Sequence, residues 1–330
     1  MKATASANAN IALIKYWGKR NEELILPQNS SVSVTLEGLK TVTTVDFDKK
    51  YKKDNFTLNG KKISGEPFER IAGFLNIIRK MAGSGLKAKI FSKNFFPTAT
   101  GLASSSAGGA ALALASSKAI GLDLNKKELS LLARRNSGSA SRSIEAGFVE
   151  WEKGEKEDGT DSFGKQVCDK DYWPEFRIIA GVLNEEEKKT KSRPGMKQSV
   201  QTCPFYKVWV ENSEKQAKQI KKFILEKKFT KLGELAENNA LMLHSVMFNT
   251  ILPIVYFSGK TVEMIKAVRK WRASGLECYF TIDAGPQVKI ICLEKDIPEI
   301  KRKLKGIKAI KKIYICKPGD GARLINKHLF

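Results

Sequence analysis

A mixed α+β fold in two domains is what this sequence predicts, and three observations predict it. Strand-like and helix-like periods alternate irregularly in the first half, without the regular strand–helix repeat of a doubly wound sheet. A charged loop, NEEEKKTKSRPGMK, interrupts the pattern at residues 184–197, and behind it long helical stretches precede three strands. The chain has 330 residues, more than the roughly 250 to 300 at which a single core usually stops growing. The division is expected at residue 186, giving domains 1–186 and 187–330.

Taken in order, residues 41–47, 56–63 and 86–91 alternate or are β-branched and read as strands, the second holding an Asn-Gly hairpin turn. Between them, residues 67–82 place Ile71, Phe74, Leu75 and Ile78 on one helical face. Residues 104–118, SSSAGGAALALASSK, predict a helix of small side chains that must pack closely on a neighbour, and 126–135 a further helix. Continuous apolarity makes FRIIAGVL, residues 176–183, a strand buried on both faces. Past the charged loop, where Pro-Gly predicts a turn, helices are expected over 199–228, 230–248 and 260–273. Strands follow at 278–283, 288–293 and 309–316.

Composition narrows the chemistry. Fifty-eight Lys and Arg against 35 Asp and Glu leave a formal charge of +23, a field that concentrates anions of any kind. Five scattered cysteines (Cys168, Cys203, Cys278, Cys292, Cys316) contain no C-x-x-C pair, so a zinc ribbon, redox dithiol or disulfide scaffold is not expected. With His244 and His328 as the two imidazoles, a His-rich metal site or Ser-His-Asp hydrolase has almost nothing to be built from. The apolar run IALI before Lys15 is too short for a secretory core, and the uncharged residues 94–117 are too rich in Ser, Thr, Gly and Ala to insert well. A cytoplasmic protein with no membrane partner is the expectation.

One stretch stands apart from this charged background. FPTATGLASSSAGG, residues 96–109, carries five Ser or Thr and no charge. A helix starting near Ser104 leaves unpaired amide groups at the positive end of its dipole, where a phosphate fits, and Gly101 lets backbone approach it. Ser104, Ser105 and Ser106 add hydroxyls for phosphate oxygens or Mg²⁺. The same residues also suit a plain helix cap, so both readings stand at this point. Better-known phosphate motifs are absent: SGKT at 258–261 has Ile254 where the Walker pattern needs Gly, and no G-x-G-x-x-G joins a strand to a helix.

Five blocks together identify a family. NIALIKYWGKRNEELILPQNSSVSVTL (10–36), FPTATGLASSSAGG, ARRNSGSASRSIEAGFVEW (133–151), SRPGM (192–196) and FTIDAGPQV (280–288) resemble the mevalonate diphosphate decarboxylase family in order and spacing. That family belongs to the galactokinase, homoserine kinase, mevalonate kinase and phosphomevalonate kinase (GHMP) superfamily. The resemblance therefore implies a ribosomal S5 domain 2-like N-terminal domain and a ferredoxin-like C-terminal domain. It implies ATP- and Mg²⁺-dependent phosphorylation of the 3-hydroxyl of mevalonate 5-diphosphate. Loss of phosphate and CO₂ then gives isopentenyl diphosphate. A homodimer with no nucleic-acid partner is implied as well.

By the same resemblance, Asp283 is the catalytic carboxylate that orients or deprotonates the hydroxyl, and Arg142 holds the substrate carboxylate, with Lys19 also catalytic. Tyr16, Lys19, Ser139, Ser141, Arg142, Ser192 and Arg193 are implied at the substrate. Ser92, Asn94, Gly101, Leu102, Ala103, Ser104, Ser105, Ser106 and Gly108 are implied at ATP, Ser105 at the metal, and Asn8 and Asn10 behind Asp283. Thr100, Ser106, Asn136 and Gln287 depart from the family pattern in small polar ways, which leaves open a 5-monophosphate substrate or a reaction that stops at 3-phosphorylation. A basic nucleic-acid binder is the remaining rival. Its binding would weaken steeply with salt, although the basic runs lack interleaved aromatics.

Overall fold

The computed structural model describes residues 1–96, 103–183, 191–307 and 310–330. The first half runs β1 (Lys2–Ile14), a short hairpin of β2 (Lys19–Asn21) and β3 (Leu26–Pro27), β4 (Ser31–Asp48), and a second hairpin of β5 (Asn55–Leu58) and β6 (Lys61–Lys62). It continues through α1 (Glu66–Met81), β7 (Lys87–Asn94), α2 (Ser104–Ala119), α3 (Lys126–Asn136), a 3-10 segment (Gly138–Ile144), β8 (Phe148–Trp151) and β9 (Gly164–Cys168). The second half holds β10 (Phe176–Leu183), α4 (Ser192–Thr202), α5 (Tyr206–Leu225), α6 (Phe229–Phe248), α7 (Gly259–Ala273), β11 (Cys278–Ile282), β12 (Val288–Leu293), α8 (Ile297–Lys305), β13 (Ile310–Cys316) and β14 (Arg323–Leu324).

Two sheets organise these elements, in the mixed α+β arrangement expected. The larger has the path β14-β1-β4-β7-β5-β6, with β8 and β9 added beside β4. The smaller is antiparallel, in the order β11-β12-β10-β13. Because β10 pairs with β12 and β13, the chain crosses from one sheet to the other between Cys168 and Phe176, ahead of residue 186. The last strand, β14, returns to β1. Sequence gave little sign of β1, whose Ala, Asn and Ser residues are weak strand formers. Pairing with β4 along most of its length and close packing of α2 demand small side chains there.

Helix α2 sits where its composition says it must. Twelve of its residues are buried, and its alanines share a core with Ile71, Phe74, Leu75 and Ile78 of α1 and with Ala5, Ala7, Val45 and Phe47 of the large sheet. A second core joins the two halves: Ile11, Leu13, Val32 and Val34 meet Ile178 of β10 and Ile220, Ile224, Phe229 and Leu232 of α5 and α6. Successive β10 residues serve different cores, Ile178 this one and Ile179 the one under α7 and α8, which is why the strand has no polar face.

Two expectations from the second half need correction. The helix read over 199–228 is two helices, because Pro204 breaks the hydrogen-bond ladder between α4 and α5. Pro194 and Gly195 do not form a turn but lie inside the first turn of α4, where a missing proline N–H costs nothing. SGKT, rejected as a phosphate loop, is a helix start: Ser258 and Thr261 form a reciprocal capping box for α7.

Close approach makes one glycine testable for stability. A Cβ on Gly233 of α6 would lie 2.0 Å from the Tyr279 ring of β11. Gly233→Ala is expected to lower stability by about 2 kcal/mol through overpacking. Urea denaturation checks this as a lower midpoint at unchanged slope.

Candidate active site

Asp283 follows β11 directly and ends in a pair of ion pairs. Lys15 Nζ lies 2.7 Å from its Oδ1, and Lys289 Nζ, from β12, 2.9 Å from its Oδ2. Both lysines are 1% exposed. Lys15 is fixed by its own backbone, since its N–H donates to Asn239 Oδ1 (2.7 Å) and its carbonyl accepts from Asn29 Nδ2 (2.8 Å). Its ammonium also donates to the Ala12 carbonyl at 2.8 Å. On the α6 side, His244 Nε2 meets the Asp283 backbone carbonyl at 3.2 Å.

These contacts set the charges. Burial alone would raise the Asp283 carboxyl, but the two ammonium groups outweigh it and hold it far below the usual carboxylate range. Burial lowers Lys15 to about 8 despite the opposing pull of Asp283. Burial also lowers His244 to about 3, so the imidazole stays neutral beside these lysines.

Arg142, on the 3-10 segment, is 2% exposed and largely committed to the protein. Its Nε–H donates to Ser33 Oγ (2.9 Å), Nη1 to Ser31 Oγ, and Nη2 to Asn10 Oδ1 (3.3 Å), and Trp151 lies under the guanidinium. Burial pulls it down to about 10, which leaves it charged. A guanidinium has five N–H groups, so two remain, one on each terminal nitrogen. Asn10 is the hub: its Nδ2 donates to the Ser139 carbonyl (2.9 Å) and Ser143 Oγ (2.7 Å), and its backbone N–H donates to Ser106 Oγ (3.2 Å). Gly138 is required where it stands, because a Cβ there would lie 2.6 Å from Trp151 and 3.1 Å from Tyr16.

The start of α2 opens onto the same space. Its N-cap, Ala103, has a left-handed backbone (φ 56°) and no side-chain cap hydrogen bond. Ser106 N–H donates to the Ala103 carbonyl at 3.0 Å, so among the described residues the Ser104 and Ser105 amides are the ones without a capping side chain and open to an anion, at a position held in a costly conformation of the kind found at functional sites.

One cavity of about 750 Å³ collects these groups. Asp283, Arg142, Lys15 and Asn10 line one part, with Lys19, Tyr16, Ser139, Ser192 and Arg193 beyond them. Ala103, Ser104, Ser105 and Gly108 form the wall at α2. Ser92 and Asn94 lie against a slot bounded by Thr43, Phe56, Leu58, Ile63 and Ile71. Six lining Lys and Arg face two carboxylates, Glu66 and Asp283, so the cavity carries a positive balance that suits an anionic ligand. Lys19 pairs with Glu22, and Arg193 Nη2 donates to the Asn136 carbonyl at 2.8 Å.

Not every residue singled out in the sequence belongs to this wall. Ser141 is fully buried, its hydroxyl donating to the Gly138 carbonyl and its own carbonyl held by Ser130, so it shapes the 3-10 segment and is not among the residues that line the cavity. Ser106 is likewise buried, donating to the Ala103 carbonyl at 2.8 Å. Asn8 is turned away, donating to the Asp320 carbonyl at 2.9 Å. Gly101 and Leu102, with Thr100, lie outside the described residues. In the other direction, sequence reading missed Lys289 and the cavity residues Arg70 and Lys191. For Lys289 a signal existed: it is the one charge in the strand VKIICL.

Comparison with known proteins fits this geometry. Residues 7–164 match the family described as diphosphomevalonate decarboxylase-like N-terminal domain, and residues 178–320 the mevalonate 5-diphosphate decarboxylase C-terminal domain. The diphosphomevalonate decarboxylase of Rattus norvegicus is 38% identical over 319 residues, covering 91% of this chain and 78% of the relative. The chain belongs to the diphosphomevalonate decarboxylase family. The human family member is also 38% identical, over 90% of this chain and 78% of its own.

Solved structures of the family share the fold, which is that of the GHMP kinase superfamily. Mevalonate diphosphate decarboxylase from Staphylococcus aureus aligns at a TM-score of 0.94 with 40% identity, over 98% of both chains. A family structure described as MDDEF in complex with MVAPP, AMPPCP and magnesium aligns at 0.93 with 42% identity, over 99% of both chains. Among the described residues, no group of three or more His, Cys, Asp or Glu side chains stands ready to hold a metal, and no helix is long and apolar enough to cross a membrane.

Proposed function

We propose that this chain catalyses the ATP-dependent decarboxylation of mevalonate 5-diphosphate to isopentenyl diphosphate, with release of ADP, phosphate and CO₂. The observation that carries the reading is that Asp283, the two uncommitted N–H groups of Arg142 and the uncapped start of α2 all border one cationic cavity.

In this reading the nucleotide base occupies the slot of Phe56, Leu58, Ile63 and Ile71 beside Ser92 and Asn94, and its phosphates reach the amides of α2. The donor set fits Mg²⁺ in its usual phosphate-supported form, with the Ser105 hydroxyl as protein ligand and the remaining positions left to phosphate oxygens and water. When bound, Mg²⁺ neutralises phosphate charge.

Lys19, Arg193, Ser192 and Tyr16 take the substrate diphosphate, with Arg70 beside them. Burial and then the nearby Arg193 charge pull Arg70 below its ordinary pKa, a sign of how closely these cations are packed.

Arg142 holds the substrate carboxylate through its two remaining donors. Asp283 accepts the hydrogen bond of the 3-hydroxyl and turns its oxygen toward the terminal phosphoryl group. Flanked by two ammonium groups, Asp283 is a weak base, so proton transfer comes late. The hydroxyl becomes acidic only as its oxygen bonds to phosphorus, when the β–γ bridging bond is already breaking toward ADP. The C3–O bond then breaks with its electron pair leaving on phosphate. The C1–C2 pair moves in to form the C2–C3 double bond and release CO₂. We place this activity in the cytoplasm, in a homodimer, with the excess positive charge serving anionic metabolites and not nucleic acid.

The test presents mevalonate, its 5-phosphate and its 5-diphosphate separately with Mg-ATP and records ADP and CO₂ together. Equimolar ADP and CO₂ from the 5-diphosphate is the expected result. ADP without CO₂ would make the chain a kinase, and preference for the 5-phosphate would reassign the substrate.

A further inference from the structure

The structure assigns to Lys289 a role that depends on the proposed reaction: it is a positioning residue that holds the Asp283 carboxylate from behind, in the orientation the 3-hydroxyl meets. Three observations lead there. Lys289 is 1% exposed and is absent from the cavity wall, whereas Lys15 and Asp283 are part of it. Its ammonium therefore contacts the carboxylate and not a ligand. The two lysines take different oxygens, Lys15 on Oδ1 at 2.7 Å and Lys289 on Oδ2 at 2.9 Å, which fixes the rotation of the carboxylate plane. They also come from different halves of the molecule, Lys15 directly after β1 and Lys289 from β12, so the carboxylate is held where the halves meet.

Stability alone does not account for this arrangement. One carboxylate cannot neutralise two buried ammonium groups and the Arg142 guanidinium, and burying unbalanced charge costs free energy. The other titratable group facing Asp283, His244 from α6, is neutral and adds no negative charge. What the second lysine contributes is a carboxylate that stays ionised and aligned after polyanionic ligands enter the cavity, since those ligands would otherwise raise its proton affinity.

Lys289→Met tests the assignment, with Lys289→Arg as the conservative partner. The methionine variant is expected to keep its KM values within a few-fold while kcat falls about 100-fold, the scale set by misplacing a reacting group. Its thermal midpoint should hold or rise, because an apolar side chain replaces a buried charge. With [¹³C]aspartate-labelled protein saturated with mevalonate 5-diphosphate, the Asp283 carboxyl signal should titrate one to two pH units higher than in the wild type, the range for losing an adjacent opposite charge. The acid limb of the kcat profile should move with it, and Lys289→Arg should restore both in part. An unmoved Asp283 titration, or a kcat loss matched by a loss of folded protein in both variants, would overturn the assignment. The carboxyl titration reads Lys289 without turnover, so it separates this inference from the proposed function, which fails instead if the wild-type chain releases no CO₂.

Discussion

Replacing Asp283 by Asn is expected to lower turnover by about 1,000-fold or more, with ATP affinity changed by no more than a few-fold. The magnitude follows from what the carboxylate does at once: it aligns the 3-hydroxyl and receives its proton, a contribution of about 100- to 10,000-fold for a positioned acid–base group. The amide keeps the size of the side chain but not its charge, and it cannot accept that proton. Nucleotide binding is spared because the amides of α2 and the slot at Phe56 and Ile71 lie on other walls of the cavity. Lys15 and Lys289 lose their shared anion, so the variant should also unfold at lower temperature, and turnover must be normalised to folded protein. Burst-quench measurement of ADP and CO₂ together with ATP titration checks both halves of the expectation. Substantial activity in the Asn variant would remove Asp283 from the chemistry.

Arg142→Lys should cost about 100-fold in kcat/KM for the phosphorylated substrate despite keeping the charge. A single ammonium has three donors on one point. Arg142 already spends three N–H groups on Ser33, Ser31 and Asn10 and offers two more in a fork. Lysine cannot satisfy the serines and hold a carboxylate in two-pronged fashion as well, and losing charge-assisted contacts of this kind costs about 2–3 kcal/mol. Because Asn10 ties Arg142 to Ser139 and to Ser106 at α2, the loss should appear in phosphoryl transfer as well as in CO₂ release. Steady-state kinetics on ADP and CO₂ in parallel checks this. A variant with wild-type kcat/KM would free Arg142 from the carboxylate.

How much of this was legible beforehand follows the physics of each signal. Helices α1, α2, α6 and α7 and the strands of the small sheet announced themselves by period and by apolar continuity. By contrast, β1 did not, since Ala, Asn and Ser are chosen there for fit against β4 and α2, and fit is a tertiary property. The strand at Phe176–Leu183 was visible as an element, but which sheet it joins depends on pairing that no local pattern carries. At the site, motifs led to Asp283, Arg142 and Lys19 yet made no distinction between Ser139, which lines the cavity, and Ser141, which turns into the fold two residues later. Lys15 carries no local sign of its place beside Asp283, because its backbone is held by Asn29 and by Asn239, the latter 224 residues away. Lys289 alone left a trace that could have been followed, a single charge inside an apolar strand.

Placement of the substrate tests the central claim most directly. A crystal structure of this chain with mevalonate 5-diphosphate and a non-hydrolysable ATP analogue should show the 3-hydroxyl within hydrogen-bond distance of an Asp283 oxygen. The carboxylate should lie on the two terminal nitrogens of Arg142, and the terminal phosphoryl mimic at the amides that open α2. A substrate bound with its hydroxyl away from Asp283, or a nucleotide seated outside this cavity, would contradict the account.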